Sequence, residues 1–449
     1  MARLFGTDGV RGEANRHPVD GVTAFLIGQA ITHLLRKPGY NPRLVVGKDT
    51  RISGHMLESS LDAGITSMGG IPCLVGVLPT PAIALYTKNM HADAGIMISA
   101  SHNPYQDNGI KFFAADGFKL SDDQEQSIED LILNGRLSEM VPHARRMGGT
   151  ASIEDVSGAY IDFLKGTLPR GLLMKGTKIV IDPANGAAYK VAPNAFTELG
   201  ADVKVIHNSP DGVNINDNCG SQYTQDLQRA VVETDADAGL ALDGDGDRLI
   251  AVDEKGGRIT GDQILIICAK MLMDEGKLRN NLIVSTVMSN LGLKIACKKY
   301  GFIHHESRVG DRYVVQDMQR LDAVIGGEES GHVVFLNHHT TGDGTLAGIQ
   351  LIASMLKAEK PLSELAAMME IFPQHIVNVK VKNKPDISTI PRVVKAIKQV
   401  EAELGDRGRV LVRYSGTQDL CRVMVEGPTD GLTIEYCGQI ADVIKTSLA

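Results

Sequence analysis

The segment Asp243-Gly-Asp-Gly-Asp-Arg248 places three carboxylates at alternate positions, with glycines between them. Such a loop can fold around one hard cation through oxygen ligands, and without a cation its like charges repel. The spacing also resembles an EF-hand loop, with Asp243, Asp245, Asp247 and Glu254 at ligand positions. That match fails at Arg248, where the tight turn needs glycine. It fails again in the flanks, because AGLAL and LIAVD read as strands rather than helices. A strand-end loop of three carboxylates beside an arginine suits a metal plus a phosphoryl group, whose remaining oxygens the guanidinium can bind.

Three further segments add to this chemistry. Ser99-Ala-Ser101-His102-Asn103-Pro104 offers an available hydroxyl at Ser101, and His102 beside it can donate to an anion. Alone it reads equally well as a turn or cap. Next to a metal loop, a phosphorylated serine becomes a fourth oxygen ligand, and Lys111 nearby can neutralise phosphate or move a proton. Gly326-Gly-Glu328-Glu329-Ser330-Gly331-His332 combines carboxylate, hydroxyl and imidazole, the groups that recognise sugar hydroxyls; an ordinary polar turn is the competing reading. Arg413-Tyr414-Ser415-Gly416-Thr417, with Arg422, forms either a phosphate cradle or a hairpin turn.

These loops need strands to hold them. RLVVGKD, GIMISAS, KIVIDPA, LIVSTVM and DAVIGGE read as buried strands between helices such as 22–36 and 263–278, an α/β pattern. Three strands repeat a motif that opens Asp-Ala, at Asp93, Asp237 and Asp322, and each runs into a polar loop: SASHNP, DGDGDR or EESGH. Ligands bind at the carboxyl ends of strands in open α/β sheets, so three related domains can each supply one loop to a shared cleft. Breaks near Gly148–Thr150, Glu254–Gly261 and Phe372–Gln374 divide the chain into 1–150, 151–254, 255–370 and 371–449. Alternation in His375–Lys382 gives the last, smaller domain a half-exposed strand.

Composition narrows the partners. A net charge of −8 over 449 residues disfavours nucleic acid, and obliges any phosphate site to gather cations locally. No stretch is long enough to span a bilayer and the N-terminus lacks a signal-peptide core, so a cytoplasmic enzyme without a membrane partner is expected. Six scattered cysteines argue against zinc and against a disulfide framework.

Taken in order, FGTDGVRG, SASHNP, DGDGDR, GGEESGH and RYSGT resemble the motifs of the alpha-D-phosphohexomutases over nearly the whole chain. The resemblance implies three related α/β domains and a C-terminal lid of α+β type around a central cleft. It implies a phosphoserine at Ser101 and Mg2+ on Ser101, Asp243, Asp245 and Asp247. It further implies sugar contacts from Glu328 and Ser330, and phosphate contacts from Arg413, Ser415, Gly416 and Thr417. Lys111 and His332 become proton-transfer candidates, and Arg11 reaches toward the phosphoserine. The implied reaction interconverts glucosamine 6-phosphate and glucosamine 1-phosphate through a 1,6-bisphosphate that also primes the enzyme. Glucose and mannose phosphates are the alternative substrates, a non-enzymatic cation binder is the remote alternative, and a homodimer is possible. One departure stands out: the last loop usually reads R-P-S-G-T-E-P, whereas this chain has Tyr414 and Gln418-Asp419.

Overall fold

The computed structural model describes residues 4–6, 8–153, 156–415 and 419–448. They fall into two compact units, Met1–Val287 with Ile303–Ala367, and Met288–Phe302 with Met368–Ala449.

The first unit holds three sheets. Sheet one contains β1 (Val10–Glu13), β2 (Arg43–Lys48), β3 (Ile71–Val77), β4 (Ala94–Ile98), β5 (Asp107–Ala114) and β6 (Ala151–Ser152), ordered β1-β5-β4-β2-β3-β6. Sheet two contains β7 (Lys178–Asp182), β8 (Asp202–Val205), β9 (Ala238–Leu242), β10 (Leu249–Asp253) and β11 (Arg258–Ile259), ordered β11-β10-β9-β7-β8. Sheet three contains β12 (Leu282–Thr286), β13 (Ile303–Ser307), β14 (Ile325–Gly327) and β15 (Val333–Phe335), ordered β13-β12-β14-β15. β6 pairs with β3 just beyond residue 150, and the β10–β11 hairpin carries sheet two past residue 254.

The repeat seen in the sequence has a structural meaning. In every sheet a loop-bearing strand (β4, β9 or β14) lies parallel to a central neighbour, then returns antiparallel as β5, β10 or β15. The Asp-Ala openings fix the start of the first two. Asp93 Oδ2 accepts from Arg43 N and Asp237 Oδ2 from Lys178 N, each at 2.8 Å, which ties the incoming strand to its parallel neighbour. In the third copy Asp322 instead caps a helix in the left-handed region (φ 53°) and pairs with Arg279. The return strands make each of these sheets mixed, not purely parallel. A parallel crossover needs roughly a dozen residues or more, so the short loop Asp243–Arg248 can only turn back.

Helix ends follow local chemistry. Thr260 and Gln263 form a reciprocal capping box at the start of the helix Gly261–Asp274. That helix stops short of the expected 278 because Gly276, at φ 65°, turns the chain away. The C-terminal unit has β16 (Gln374–Lys380), β17 (Arg409–Tyr414) and β18 (Leu420–Glu426), ordered β16-β18-β17. The helices Pro391–Leu404 and Asp430–Leu448 cover it, and Val393, Val400, Val423 and Ile440 lie in its core. The helix Leu291–Tyr300 joins this unit, because Glu426 accepts from Leu291 N at 3.1 Å and Asn290 Nδ2 donates to Phe372 O at 2.9 Å.

The helices Gly21–Leu35 and Gly54–Ser67 pack closely in sheet one's layer. A Cβ built on Gly64 would lie 2.2 Å from Phe25 O, a backbone atom that cannot swing aside. Gly64→Ala should therefore destabilise the protein by about 1–3 kcal/mol in denaturant titration. Gly438→Ala meets nothing within 4 Å, lies in a helix, and should stabilise it by about 0.5–1 kcal/mol.

Candidate active site

Loops from all three sheets of the first unit converge. Ser101, after β4, sits at φ 54° and donates from Oγ to Asp243 Oδ2 at 2.6 Å. His102 Nδ1 lies 3.3 Å from the same hydroxyl. Burial, reinforced by Arg248 and Arg11, pulls the His102 imidazole down to about 4, so the ring is neutral near pH 7.

The loop between β9 and β10 brings the carboxylates of Asp243, Asp245 and Asp247 together, with candidate ligand atoms within 4.8 Å of one another. All three residues are buried. Burial first, then Asp247 and Asp245, push Asp243 well above the usual carboxylate range. Asp245 Oδ1 and Asp247 Oδ1 are buried without a hydrogen-bond partner among the described residues. Orphaned, converging carboxylate oxygens of this kind fit a divalent cation.

The cations around this loop come from sheet one and from the loop itself. Lys111, on β5, places Nζ 2.6 Å from Asp245 Oδ2, 3.2 Å from Asp247 Oδ2 and 3.6 Å from Asp8 Oδ2. Although burial opposes it, these carboxylates hold the ammonium well above the ordinary lysine value. Arg11 pairs with Asp8 and faces Asp245 and Asp247 electrostatically. Arg248 donates its backbone N–H to Asp243 Oδ1 at 3.1 Å and sets Nε 3.8 Å from Asp247 Oδ1.

The loop between β14 and β15 supplies Glu328, Ser330 and His332. Gly310 N donates to Glu328 Oε1 at 3.1 Å and Ser330 Oγ to Glu328 Oε2 at 3.4 Å, fixing the carboxylate. His332 is buried, with Nδ1 3.7 Å from Asp247 Oδ2. Gly342 N donates to its Nε2 at 3.2 Å, so a neutral ring carries its proton on Nδ1, toward the carboxylate. Burial opposes the charged form of His332, but Asp247, Asp311 and Glu328 raise it overall.

Sequence reasoning missed three members of this network. Asp8 pairs with Arg11, Lys111 and Lys119, and Lys119 bridges Asp8 to Asp311. Asp8 stands inside the FGTDGVRG motif, three residues before Arg11, so a signal existed. Lys119 and Asp311 lie in turn-like stretches whose charges look like surface groups until the sheets bring them together.

Arg413, Ser415 and Arg422 belong to the C-terminal unit. Arg413 on β17 stands directly opposite Arg422 on β18. Burial, then Arg422, lower the Arg413 pKa. Both line a cavity of about 360 Å3 with Asn378, Leu411 and Met424. Like charges directly opposed on neighbouring strands are destabilising unless an anion lies between them. Lys384 Nζ donates to Ser415 O at 3.3 Å. Gly416 and Thr417, expected to touch phosphate, and Gln418 lie outside the described residues. Tyr414 packs against the core of this unit.

With this geometry the comparisons with known proteins agree. Four family models match in chain order: phosphoglucomutase/phosphomannomutase alpha/beta/alpha domains I, II and III over residues 2–139, 159–257 and 260–372, and the C-terminal domain over 376–443. The chain belongs to this family, the alpha-D-phosphohexomutases; it has their four-domain α/β organisation and is an enzyme of the phosphotransferring isomerase class. Its relatives include phosphoglucosamine mutases from Syntrophobacter fumaroxidans and Syntrophus aciditrophicus, 66% and 56% identical, each aligned over 100% of both chains. The fold also matches a solved phosphoglucomutase/phosphomannomutase family protein from Burkholderia thailandensis (TM-score 0.79, 24% identity, 99% and 97% of the two chains). A second match is an N-acetylphosphoglucosamine mutase from Aspergillus fumigatus in complex with GlcNAc-6P and magnesium (TM-score 0.71, 16% identity, 99% and 96%). No helix among the described residues is long and apolar enough to cross a membrane.

If the triad holds a divalent cation, Asp245→Asn should weaken cation binding by at least about 10-fold in calorimetric titration, the loss that even an outer-shell partner of a ligand causes, with little change in far-UV circular dichroism. Native cation affinity in that variant would remove Asp245 from the site.

Proposed function

We propose that this enzyme interconverts glucosamine 6-phosphate and glucosamine 1-phosphate, the activity named for its full-length relatives, through a phosphoserine at Ser101 and a hexosamine 1,6-bisphosphate. The observation that carries the reading is the Ser101 hydroxyl, 2.6 Å from Asp243 and beside a triad with orphaned carboxylate oxygens. Asp243, Asp245 and Asp247, with the phosphorylated Ser101, would hold Mg2+. When bound, the ion neutralises charge on the phosphoryl oxygens.

The residues divide the remaining work. The phosphoryl group leaves Ser101 Oγ for the sugar O1 hydroxyl: the P–Oγ bond breaks, the P–O1 bond forms, and the proton lost from O1 is balanced by one gained at Ser101 Oγ, with neutral His332 the candidate carrier once its Nε2 is released from Gly342 N. The 1,6-bisphosphate then turns over, and its 6-phosphoryl group passes to Ser101 Oγ, which leaves the 1-phosphate and restores the phosphoenzyme. Lys111, Arg248 and Arg11 offset the charge that moves, His102 donates to the anion, and Glu328 and Ser330 orient the sugar. Arg413, Ser415, Gly416, Thr417 and Arg422 are assigned to the phosphate that is not reacting. A hexose or hexosamine 1,6-bisphosphate would prime the unphosphorylated enzyme. We place it in the cytoplasm, with a homodimer as one assembly open to it, and we divide it into domains 1–150, 151–254, 255–370 and 371–449.

The test is a kcat/KM panel over glucosamine, N-acetylglucosamine, glucose and mannose phosphates, run beside intact-mass measurement. The native enzyme should carry one phosphate on Ser101 and prefer glucosamine phosphate, whereas Ser101→Ala should lose both the added mass and nearly all turnover. A tenfold preference for glucose or mannose phosphate, about 1.4 kcal/mol of discrimination, would assign a sister activity. Phosphate mapped to Ser99 would overturn the nucleophile.

The distal-phosphate role makes a separate prediction. Arg413→Ala should lower kcat/KM about 10- to 200-fold, the effect of a charge-assisted bond worth about 1.5–3 kcal/mol, while Ser101 remains phosphorylated. A variant with native kinetics would leave Arg413 without that role.

A further inference from the structure

We propose that Arg51 and Asn216 are positioning residues that hold the reactive serine in its transfer geometry by gripping its backbone from two sides. The inference rests on the mutase reading for its catalytic consequence, and on geometry alone for the grip.

Arg51 is fully buried and contributes nothing to a hydrophobic core. Its Nε donates to Asp49 Oδ2 at 2.8 Å, and neither side chain of this ion pair is exposed. Nη2 donates to Ser101 O at 2.9 Å and to Asn103 O at 2.8 Å. Nη1 donates to Asp107 O at 3.1 Å and also to Pro104 O. All five guanidinium donors are therefore used, three of them on carbonyls of the loop that carries the nucleophile and one on Asp107 O at the start of β5. Asp49 completes the arrangement from below: its Oδ2 accepts from Ser99 Oγ at 2.5 Å, and Ser99 Oγ accepts from Ser101 N at 3.0 Å. The serine thus has both its N–H and its C=O held by one buried cluster.

Asn216 closes the grip from the connection between β8 and β9, in the part of the chain that leads to the metal loop. Its Nδ2 donates to Ser101 O at 2.9 Å and Asn103 O at 3.0 Å, the same two carbonyls that Arg51 Nη2 holds. Gly244 presses on this point, since a Cβ there would lie 2.6 Å from Ser101 O and 2.7 Å from Asn216 Nδ2.

Ser101 needs such restraint. At φ 54° it occupies the left-handed region, which disfavours a serine with no compensation. Released, the residue relaxes to negative φ, and its Oγ swings away from Asp243. Neither Arg51 nor Asn216 is a hydrogen-bond partner of that hydroxyl, whose partners are Asp243 and His102. Their effect on chemistry passes through the backbone, and should fall on kcat rather than on substrate binding.

The experiment uses the full-length enzyme with Asn216→Ala and Arg51→Lys, the latter keeping the charge but not the planar fork. A misplacement of about 1 Å can cost about 100-fold in rate, so Asn216→Ala should lower kcat about 10- to 100-fold. KM should stay within about twofold, and amide exchange of the peptide 99–107 should speed up while the rest of the protein exchanges at native rates. Arg51→Lys should show the same pattern more strongly. If it fails to fold, Asn216→Ala alone decides. Native kcat in a folded Asn216→Ala overturns the proposal, and so does lost turnover with native exchange over 99–107. If the native enzyme turns over none of the phosphosugars while Asn216→Ala still loosens 99–107, the grip stands and the mutase reading fails.

Discussion

Three carboxylates within five residues, all withdrawn from water, set the terms for the rest of the first unit. Each buried anion demands a counter-charge or a ligand, and the β9–β10 loop cannot supply enough from its own residues. Arg248 helps, but it stands on the same loop. The missing charge arrives from β1 and β5 of sheet one, as Arg11 and Lys111, and from sheet three as His332. Asp8 then tethers Lys111 and Lys119, and Lys119 reaches Asp311. The sheets are therefore joined at their loop ends by a network of alternating charges, in which Lys111 and Asp8 each have more than one partner.

This assembly explains why the hairpin return matters. A crossover after the loop-bearing strand would carry the chain away from the site at once. The antiparallel return instead brings β5, β10 or β15 back beside the loop, so both ends of each loop are anchored in the same sheet. Lys111 depends on this, because it sits on the return strand β5 and not on the loop. The fold thus doubles the number of positions from which each sheet can address the centre.

Much of the site was legible in the sequence, for a physical reason: chemistry confined to one loop leaves its residues adjacent. Asp243, Asp245, Asp247 and Arg248 could be read together because a turn packs them together. The positions of strands β2, β4, β7, β12 and β14 were legible because buried runs are continuous. Their mates and directions were not, since a strand buried on both faces carries no mark of its orientation; only the shortness of Asp243–Arg248 gave the return away. Asp8, Lys119, Asp311, Arg51 and Asn216 were harder, because each acts on a residue distant in sequence and looks like an ordinary polar side chain where it stands. Tyr414, met in the sequence as an oddity of the phosphate loop, turns out to anchor that strand end in the C-terminal core.

The two units handle charge differently, and that contrast bears on how an acidic protein manages a phosphorylated substrate. In the first unit Arg11, Lys111, Lys119 and Arg312 all have carboxylate partners. A phosphate arriving there must compete with existing ion pairs, and its net attraction is correspondingly modest. In the C-terminal unit Arg413 faces Arg422 across two strands, and among the described residues neither makes an ion pair. Burial and mutual repulsion make that pair costly on its own, so an anion that binds there relieves strain as well as forming new bonds. On the proposed assignment that anion is the phosphate that does no chemistry, a useful place for tight binding, because tight binding of the reacting phosphate in its ground state would deepen the well from which the reaction must climb.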